Sequence, residues 1–373
     1  MRIVQKTKIS GWQDLPNSSQ TFPGIAVTDT GRIIVSWRSA IKKEQVDGQY
    51  PLYSYSDDHG RTWSKPVNPF TAPAINGVQG NFRAMYPTFS NGKLWMHLCW
   101  VDCDVPGRPF FKEENSGLLD CKIFLSYSED DGLSWSKPQQ LDAGRYAAQP
   151  TPITGPLLVF PDGEIISQFE LNNPYDSQEV WRHLPVLNFS RDSGKTFYRL
   201  AIPAEDPQND IFYWDQRPLI LKDGNSIVNF YWTWDNAQNV YHNITTTISR
   251  DRGITWSAPH DTGVAGQAGQ PVEFEDGTLL LPLVDRTGIP KIMARISHDQ
   301  GQTFADETIT LSNEICKKQT TQQDAVAGAW NEMTNFSLGL PAGCSSGHNT
   351  AYVVWYAGSH TDQTDIEFAE IEL

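Results

Sequence analysis

Long apolar runs are missing from this sequence. No stretch approaches the ~20 residues that a membrane-spanning helix requires, and the N-terminal MRIVQKTKISGW holds no apolar core of the kind a secretory leader carries. Taken as it stands, the chain is expected to be cytoplasmic and not inserted in a membrane; secretion would need a leader removed beforehand. Basic charge is scarce as well: 29 Lys and Arg face 44 Asp and Glu, for a formal net charge of −15. That balance argues against a broad cationic face for nucleic acid or anionic membrane. Cysteine is sparse and odd in number, at Cys99, Cys103, Cys121, Cys316 and Cys344. At least one thiol is left unpaired, which points to a reducing compartment. Cys103 and Cys121 flank a polar loop and form a candidate bridge. There is no CxxC pair and no ligand spacing typical of zinc, so no metal and no cofactor is expected.

Turn formers and tryptophan are abundant instead, with 28 Gly, 24 Pro and 13 Trp. Many short strands joined by tight turns use residues in this way. The decisive feature is a repeat. Five segments share S-x-D-x-G-x-[TS]-[WF]: SDDHGRTW from Ser56, SEDDGLSW from Ser128, SRDSGKTF from Ser190, SRDRGITW from Ser249 and SHDQGQTF from Ser297. Each follows an alternating strand such as PLYSYS or KIFLSYS. The Asp (Asp58, Asp130, Asp192, Asp251, Asp299) can fold its carboxylate onto nearby backbone N–H groups, and the Gly two residues on supplies the positive φ of a tight turn. Five equivalent turns cannot share one active site, so these carboxylates read as structural.

On this repeat the chain resembles the sialidase (neuraminidase) superfamily of Asp-box propellers, over nearly its whole length. The resemblance implies an all-β fold, a six-bladed β-propeller of four-stranded antiparallel blades. A second pattern agrees: six strand–turn–strand openings run from TFPGIAVTDTGRIIVSW to FSLGLPAGCSSGHNTAYVVWY. They place blades at about 22–70, 83–140, 150–202, 215–260, 268–310 and 333–373, in a single domain spanning 1–373. The last blade lacks an Asp-box; DIEFAEIEL can supply its third strand and the N-terminal RIVQKTKI (2–9) its fourth, which would close the ring and remove its open edge.

The family binds sugars on the face opposite the Asp-box turns. Candidate substrate-binding residues on that face are Arg38, Arg83, Arg217, Gln270, Trp232, Trp234 and Tyr356, with Asp285 and Arg286 among the other loop residues. Aromatic faces stack on sugar rings and planar polar groups bond hydroxyls. For Trp232 and Trp234 the alternative is packing inside the ring. Glycosidic cleavage usually takes two carboxyl groups. Glu170, in QFEL, is one candidate, and Asp47 or Asp235 its partner.

The resemblance also implies a sialidase machinery, which this sequence meets only in part. Three arginines, a nucleophilic Tyr assisted by Glu, and an acid/base Asp are expected. The first arginine position reads Thr21-Phe22-Pro23, the second is kept as Arg217, and the third falls on Gln270. The nucleophile segment reads Asn335-Phe336-Ser337-Leu338, without Tyr. Asp47 lies near the acid/base position and Glu205 near the assisting Glu. The expectation is therefore a sialidase-like glycoside hydrolase, exo-acting on a non-sialic sugar, with carbohydrate as partner. The alternatives are a lyase acting on a uronate polymer, with Arg83, Arg217, Tyr175, His183 and His242 supplying its residue types, or a non-catalytic glycan- or protein-binding propeller.

Overall fold

In the computed structural model, which describes residues 1–312, 333, 335–347 and 349–373, six antiparallel sheets stand around a central axis. Blade 1 holds Ser19–Val27, Ile33–Ala40 and Tyr50–Ser56. Blade 2 runs Gly80–Ser90, Lys93–Asp102, Cys121–Ser128 and Gln139–Gln140. Blade 3 runs Leu158–Val159, Ile165–Leu171, Leu184–Ser190 and Arg199–Ala201. Blade 4 runs Ile211–Ile220, Ile227–Asp235, Thr245–Ser249 and His260–Asp261. Blade 5 begins with Gln267–Ala268 and Val272–Glu273, followed by Leu279–Asp285, Lys291–Ser297 and Thr308–Ser312. Blade 6 holds Leu338–Ser345, Thr350–His360 and Gln363–Glu372, and the N-terminal strand Arg2–Ser10 completes it. That last pairing, with Arg2 opposite Glu372 and Thr7 opposite Phe368, joins the two ends of the chain as the sequence led one to expect.

The second strand of most blades is buried on both faces, because it lies between neighbours in its own sheet and between adjacent blades. Ile33–Ala40 and Ile227–Asp235 are buried at every position, so polar side chains such as Ser36, Arg38, Asn229 and Thr233 are buried along with the apolar ones.

The Asp-box turns do what their composition dictates. Around Asp192, Ser190 Oγ donates to Oδ1 (2.8 Å), Thr196 N–H donates to Oδ1 (2.8 Å) and Thr196 Oγ1–H to Oδ2 (2.6 Å), while Gly194 N–H donates to Ser190 Oγ (3.0 Å). The same bonds recur at Asp58, Asp130, Asp251 and Asp299. Gly194 has φ +84° and the residue before it, Ser193, φ +61°. The glycine is required twice over. In Asp-boxes 1, 4 and 5, a Cβ at Gly60, Gly253 or Gly301 would strike Phe368, Phe189 or Phe230, each an aromatic of the preceding blade around the ring. Each such turn thereby locks one blade onto its neighbour.

The four described cysteines are free thiols, so Cys103 and Cys121 are not bridged; Cys316 lies outside the described residues. Among the described residues no helix is long and apolar enough to cross a membrane, and no cluster of three His, Cys, Asp or Glu could hold a metal ion.

Candidate functional site

The inner strands of blades 1, 2, 4 and 6 share a defect. Their pairing slips between Thr21 and Gly24, Phe82 and Ala84, Trp214 and Arg217, and Gly339 and Ala342. In three of the four, a non-glycine residue takes positive φ at the slip: Phe22 (+58°), Asp215 (+50°) and Leu340 (+46°). Such β-bulges re-aim side chains, and backbone strain of this kind concentrates at functional sites. All three side chains, with Arg83 from the fourth bulge, line one cavity of about 630 Å³ on the axis.

The cavity gathers opposite charges. Arg83, Arg217, Arg286 and Lys43 line it, as do Glu170 and Asp215. Arg286 Nη2 donates to Gln267 Oε1 (3.0 Å); Gln267 Nε2 donates to Asp215 Oδ2; Arg217 Nη2 lies 3.9 Å from Asp215 Oδ1. One relay thus links two guanidiniums through a carboxylate. Arg217 also donates to the Thr154 and Gln216 carbonyls. Arg83 stacks on Phe110 (4.1 Å to the ring centroid) and donates to Gln49 Oε1 (3.2 Å). Burial pushes its guanidinium down to about 10. Lys43 reaches in from the loop before Tyr50–Ser56 and donates to the carbonyls of Met333 (2.6 Å) and Phe336 (3.0 Å) and to Tyr356 Oη (3.0 Å). Burial first, then Arg286, Arg83 and Arg38, drive its ammonium well below the usual lysine range.

Glu44, Glu113 and Glu114 line the cavity too, but the blade 4 bulge touches two carboxylates, Asp215 and Glu170. At the slip in blade 4, Asp215 turns its side chain into the cavity, and the next residue, Gln216, donates its backbone N–H to Glu170 Oε1 (3.0 Å). The Gln216 side chain anchors this segment, its Nε2 donating to the carbonyls of Phe169 (2.8 Å) and Val186 (3.2 Å). Glu170 Oε2 accepts a bond from His183 Nε2 (2.9 Å). Aromatic rings complete the lining: Phe22, Phe110, Tyr175, Trp214, Phe336 and Tyr356.

Of the residues chosen from the sequence, Glu170, Arg83, Arg217 and Tyr356 meet on this cavity, together with Tyr175 and Arg286. The others do not, each for a physical reason. Arg38 is fully buried beneath the wall, spending its guanidinium on Gln49 and on the carbonyls of Lys43 and Gln45. Trp232 and Trp234 are 2% and 0% exposed in an aromatic core, where Trp234 stacks on Trp214 (5.8 Å) and Trp232 on Tyr241 (4.4 Å), so they offer no ring face to a sugar. Gln270 sits farther along the axis, lining a second opening and donating to the Pro218 carbonyl (2.8 Å). Asp47 lies outside the cavity and accepts the Gly107 N–H (2.6 Å). Asp235 closes its own turn, accepting from Gln238 N–H (2.7 Å) and His242 Nε2 (3.0 Å). Thr21 is buried opposite Arg38 in the blade 1 ladder, and Glu205 faces Arg182 (3.7 Å) on a separate pocket.

Sequence reasoning missed Asp215 and Lys43. Asp215 stands in WDQRPLIL two residues before Arg217, at a slip in the pairing that the local pattern does not announce. Nothing in the local pattern marks Lys43, which belongs to a long loop. Arg286 was visible at the end of its strand, without the register that points it inward.

Residues 110–315 match the BNR repeat-like domain family, and residues 54–65 match the BNR/Asp-box repeat. No curated protein matches the chain in sequence. Among solved structures, a protein of unknown function from Dyadobacter fermentans is similar at TM-score 0.77 and 18% identity, over 100% of this chain and 99% of that one. The intramolecular trans-sialidase from Ruminococcus gnavus is similar at TM-score 0.66 and 11% identity, over 98% and 97%. The NanB sialidase from Streptococcus pneumoniae follows at TM-score 0.63 and 13% identity, over 100% and 70%. Likeness at these identities concerns the fold.

Proposed function

The chain belongs to the BNR repeat-like domain family, and we propose that it is a sialidase-like glycoside hydrolase, exo-acting on a non-sialic sugar that bears an acidic group. The observation that supports this reading is the convergence of Glu170 and Asp215 with Arg83, Arg217 and Arg286 on one cavity. Glycosidic cleavage takes two carboxyl groups across the bond, one on the leaving oxygen and one on the anomeric side. Here the two are placed by a single bulge. Guanidiniums held out of water bind an acidic substituent by charge-assisted bonds. A cavity of about 630 Å³ suits a terminal sugar better than the middle of a polymer. The segment Asn335-Phe336-Ser337-Leu338, without Tyr where the sialidase nucleophile is expected, weighs against sialic acid itself.

The test is a panel of chromogenic exo-glycosides, comprising hexuronides, sulfated and neutral hexosides, pentosides and a sialoside, run on wild type, Glu170→Gln and Asp215→Asn. One acidic sugar should be released by wild type, with losses on the order of a thousandfold in either variant. Turnover of the sialoside would overturn the substrate assignment. Full activity in both variants would overturn the carboxylate assignment, and silence of the wild type would remove the hydrolase reading.

One feature favours a second reading, a lyase on a uronate polymer: the Tyr356 phenol beside the Lys43 ammonium (3.0 Å), within reach of the arginines. A phenol so placed serves as the proton-abstracting base, while arginine neutralises the uronate. Appearance of the ultraviolet absorbance of an unsaturated uronate, abolished in Tyr356→Phe, would select it.

A further inference from the structure

Glu170 is held by two donors of different character. One is backbone, the Gln216 N–H; the other is the His183 imidazole, only 4% exposed. Glu170 pairs with Pro185 across the blade 3 ladder, so His183 is its diagonal neighbour. The ring sits among aromatic side chains, with centroids 5.8 Å from Trp181, 6.3 Å from Trp214 and 6.4 Å from Phe212. Its Nδ1 is buried and meets no hydrogen-bond partner among the described residues.

These facts fix the hydrogen. A hydrogen on Nδ1 would bury an N–H without a protein acceptor, at a cost of about 1–3 kcal/mol, and would leave Nε2 as a bare lone pair facing a carboxylate oxygen. A hydrogen on Nε2 satisfies the contact to Glu170 and leaves only a lone pair in the aromatic box. His183 is absent from the cavity lining, whereas Trp214 and Glu170 are part of it. The imidazole therefore stands behind the carboxylate, shielded from substrate.

We infer that His183 is a positioning residue: a fixed Nε2–H donor that, with the Gln216 amide, locks the Glu170 carboxylate in one orientation against the bound sugar. The inference rests on the hydrolase reading for its functional part and on geometry alone for its tautomer. With both Glu170 oxygens accepting N–H bonds, the group is set up to act on substrate as an electron-pair donor, either activating water or attacking the anomeric carbon. Proton delivery to the leaving oxygen then falls to another group, and of the further carboxyls on the cavity Asp215 is the one adjoining the Gln216 N–H that holds Glu170. Two ordered donors also remove the rotamer freedom that a cavity glutamate would otherwise have to lose on reaching the transition state.

Two measurements test this. In 15N-labelled full-length protein at neutral pH, long-range proton–nitrogen correlation should show His183 with a protonated Nε2 and a bare Nδ1, identified by loss of its signals in His183→Gln. A hydrogen on Nδ1, or on both nitrogens, would overturn the inference. On the sugar released in the panel above, His183→Leu should lower kcat by roughly 10–100-fold, the range that orienting partners commonly command, with KM within about twofold. His183→Gln, whose amide N–H can occupy the Nε2 position, should recover most of that loss. Equal losses in both variants, or a change confined to KM, would reduce His183 to a packing residue. A silent wild type in the panel indicts the hydrolase reading, while the nitrogen spectrum still decides the tautomer.

Discussion

Lys43 Nζ lies 3.0 Å from Tyr356 Oη, joining a loop of blade 1 to the second strand of blade 6 across the seam where the ring closes. The ammonium is buried among Arg286, Arg83 and Arg38, and its affinity for a proton is driven down by burial and by those cations. In the unfolded chain the same amine titrates near ~10.4. The unfolded state therefore binds more protons between the depressed folded value and that pH, and the stability of the protein rises with pH across this window. Chemical denaturation of wild type and Lys43→Met should diverge accordingly, the difference moving in favour of wild type as pH climbs toward ~10. Parallel pH profiles would show that the amine is not desolvated as described.

Arg83 carries a related cost. Its guanidinium is held down to about 10 by burial, and its side chain is stacked on Phe110 with a single neutral partner at Gln49. The side chain is half-buried in the cavity wall, and replacing such a charge, which lacks an ionic partner among the described residues, with a similar apolar volume is commonly stabilising. Arg83→Met should raise the unfolding free energy by about 1 kcal/mol or more. The same change should weaken an acidic sugar by roughly 10–100-fold, the worth of one charge-assisted bond. Calorimetry and a binding titration on the same variant check both signs.

His97 joins blade 2 to blade 3. Its Nδ1 meets the Gly155 carbonyl (3.1 Å) and its Nε2 the Ser167 hydroxyl (3.0 Å), and burial lowers it to about 4. A histidine that is neutral when folded takes up a proton on unfolding near ~6.5. Stability is thus full above ~6.5 and lost as pH falls from there to about 4. The loss should reach about 3 kcal/mol in wild type. His97→Gln should show a flatter profile over that interval in denaturant melts.

The Asp-box carboxylates set a second acid limit. Asp58, Asp130, Asp192 and Asp251 are each held at about 2, chiefly by the hydroxyl of the residue four positions on. The stability they contribute is fully present above ~4, the unfolded value, and is lost as pH falls from there to about 2. Asp192→Asn should lower the melting temperature at neutral pH and shallow its decline between pH ~4 and ~2. An unchanged melting curve would show that the turn does not depend on the charged form.

Much of the fold is local in origin, which is why it can be read from the chain. Each Asp-box writes Ser, Asp, Gly and Thr or Ser within eight residues, and every bond of the turn is made inside that span. The strand openings alternate or run apolar over a few residues, so blade number and order follow from counting. The closing strand was legible for a related reason: blade 6 lacks an Asp-box, and the chain starts with an alternating segment that has no other partner.

The site was less legible because its residues are set by departures from regularity. Glu170 and Arg217 lie on well-patterned strands and could be chosen from sequence. Asp215 stands at a pairing slip with positive φ, and its partners Gln267 and Arg217 come together only across the folded ring. Trp232 and Trp234 have the chemistry of sugar platforms, yet the ring curvature folds them into the interior with Trp181 and Phe212. The sequence by itself determined the repeat, the blades, their order and the structural role of five carboxylates, since each depends on neighbours within a few positions. Only the tertiary structure decided which charges share a cavity. Strand bulges of blades 1, 2, 4 and 6 and a long loop of blade 1 have to meet a strand of blade 3 on the axis before Arg83, Lys43, Asp215 and Glu170 become one site.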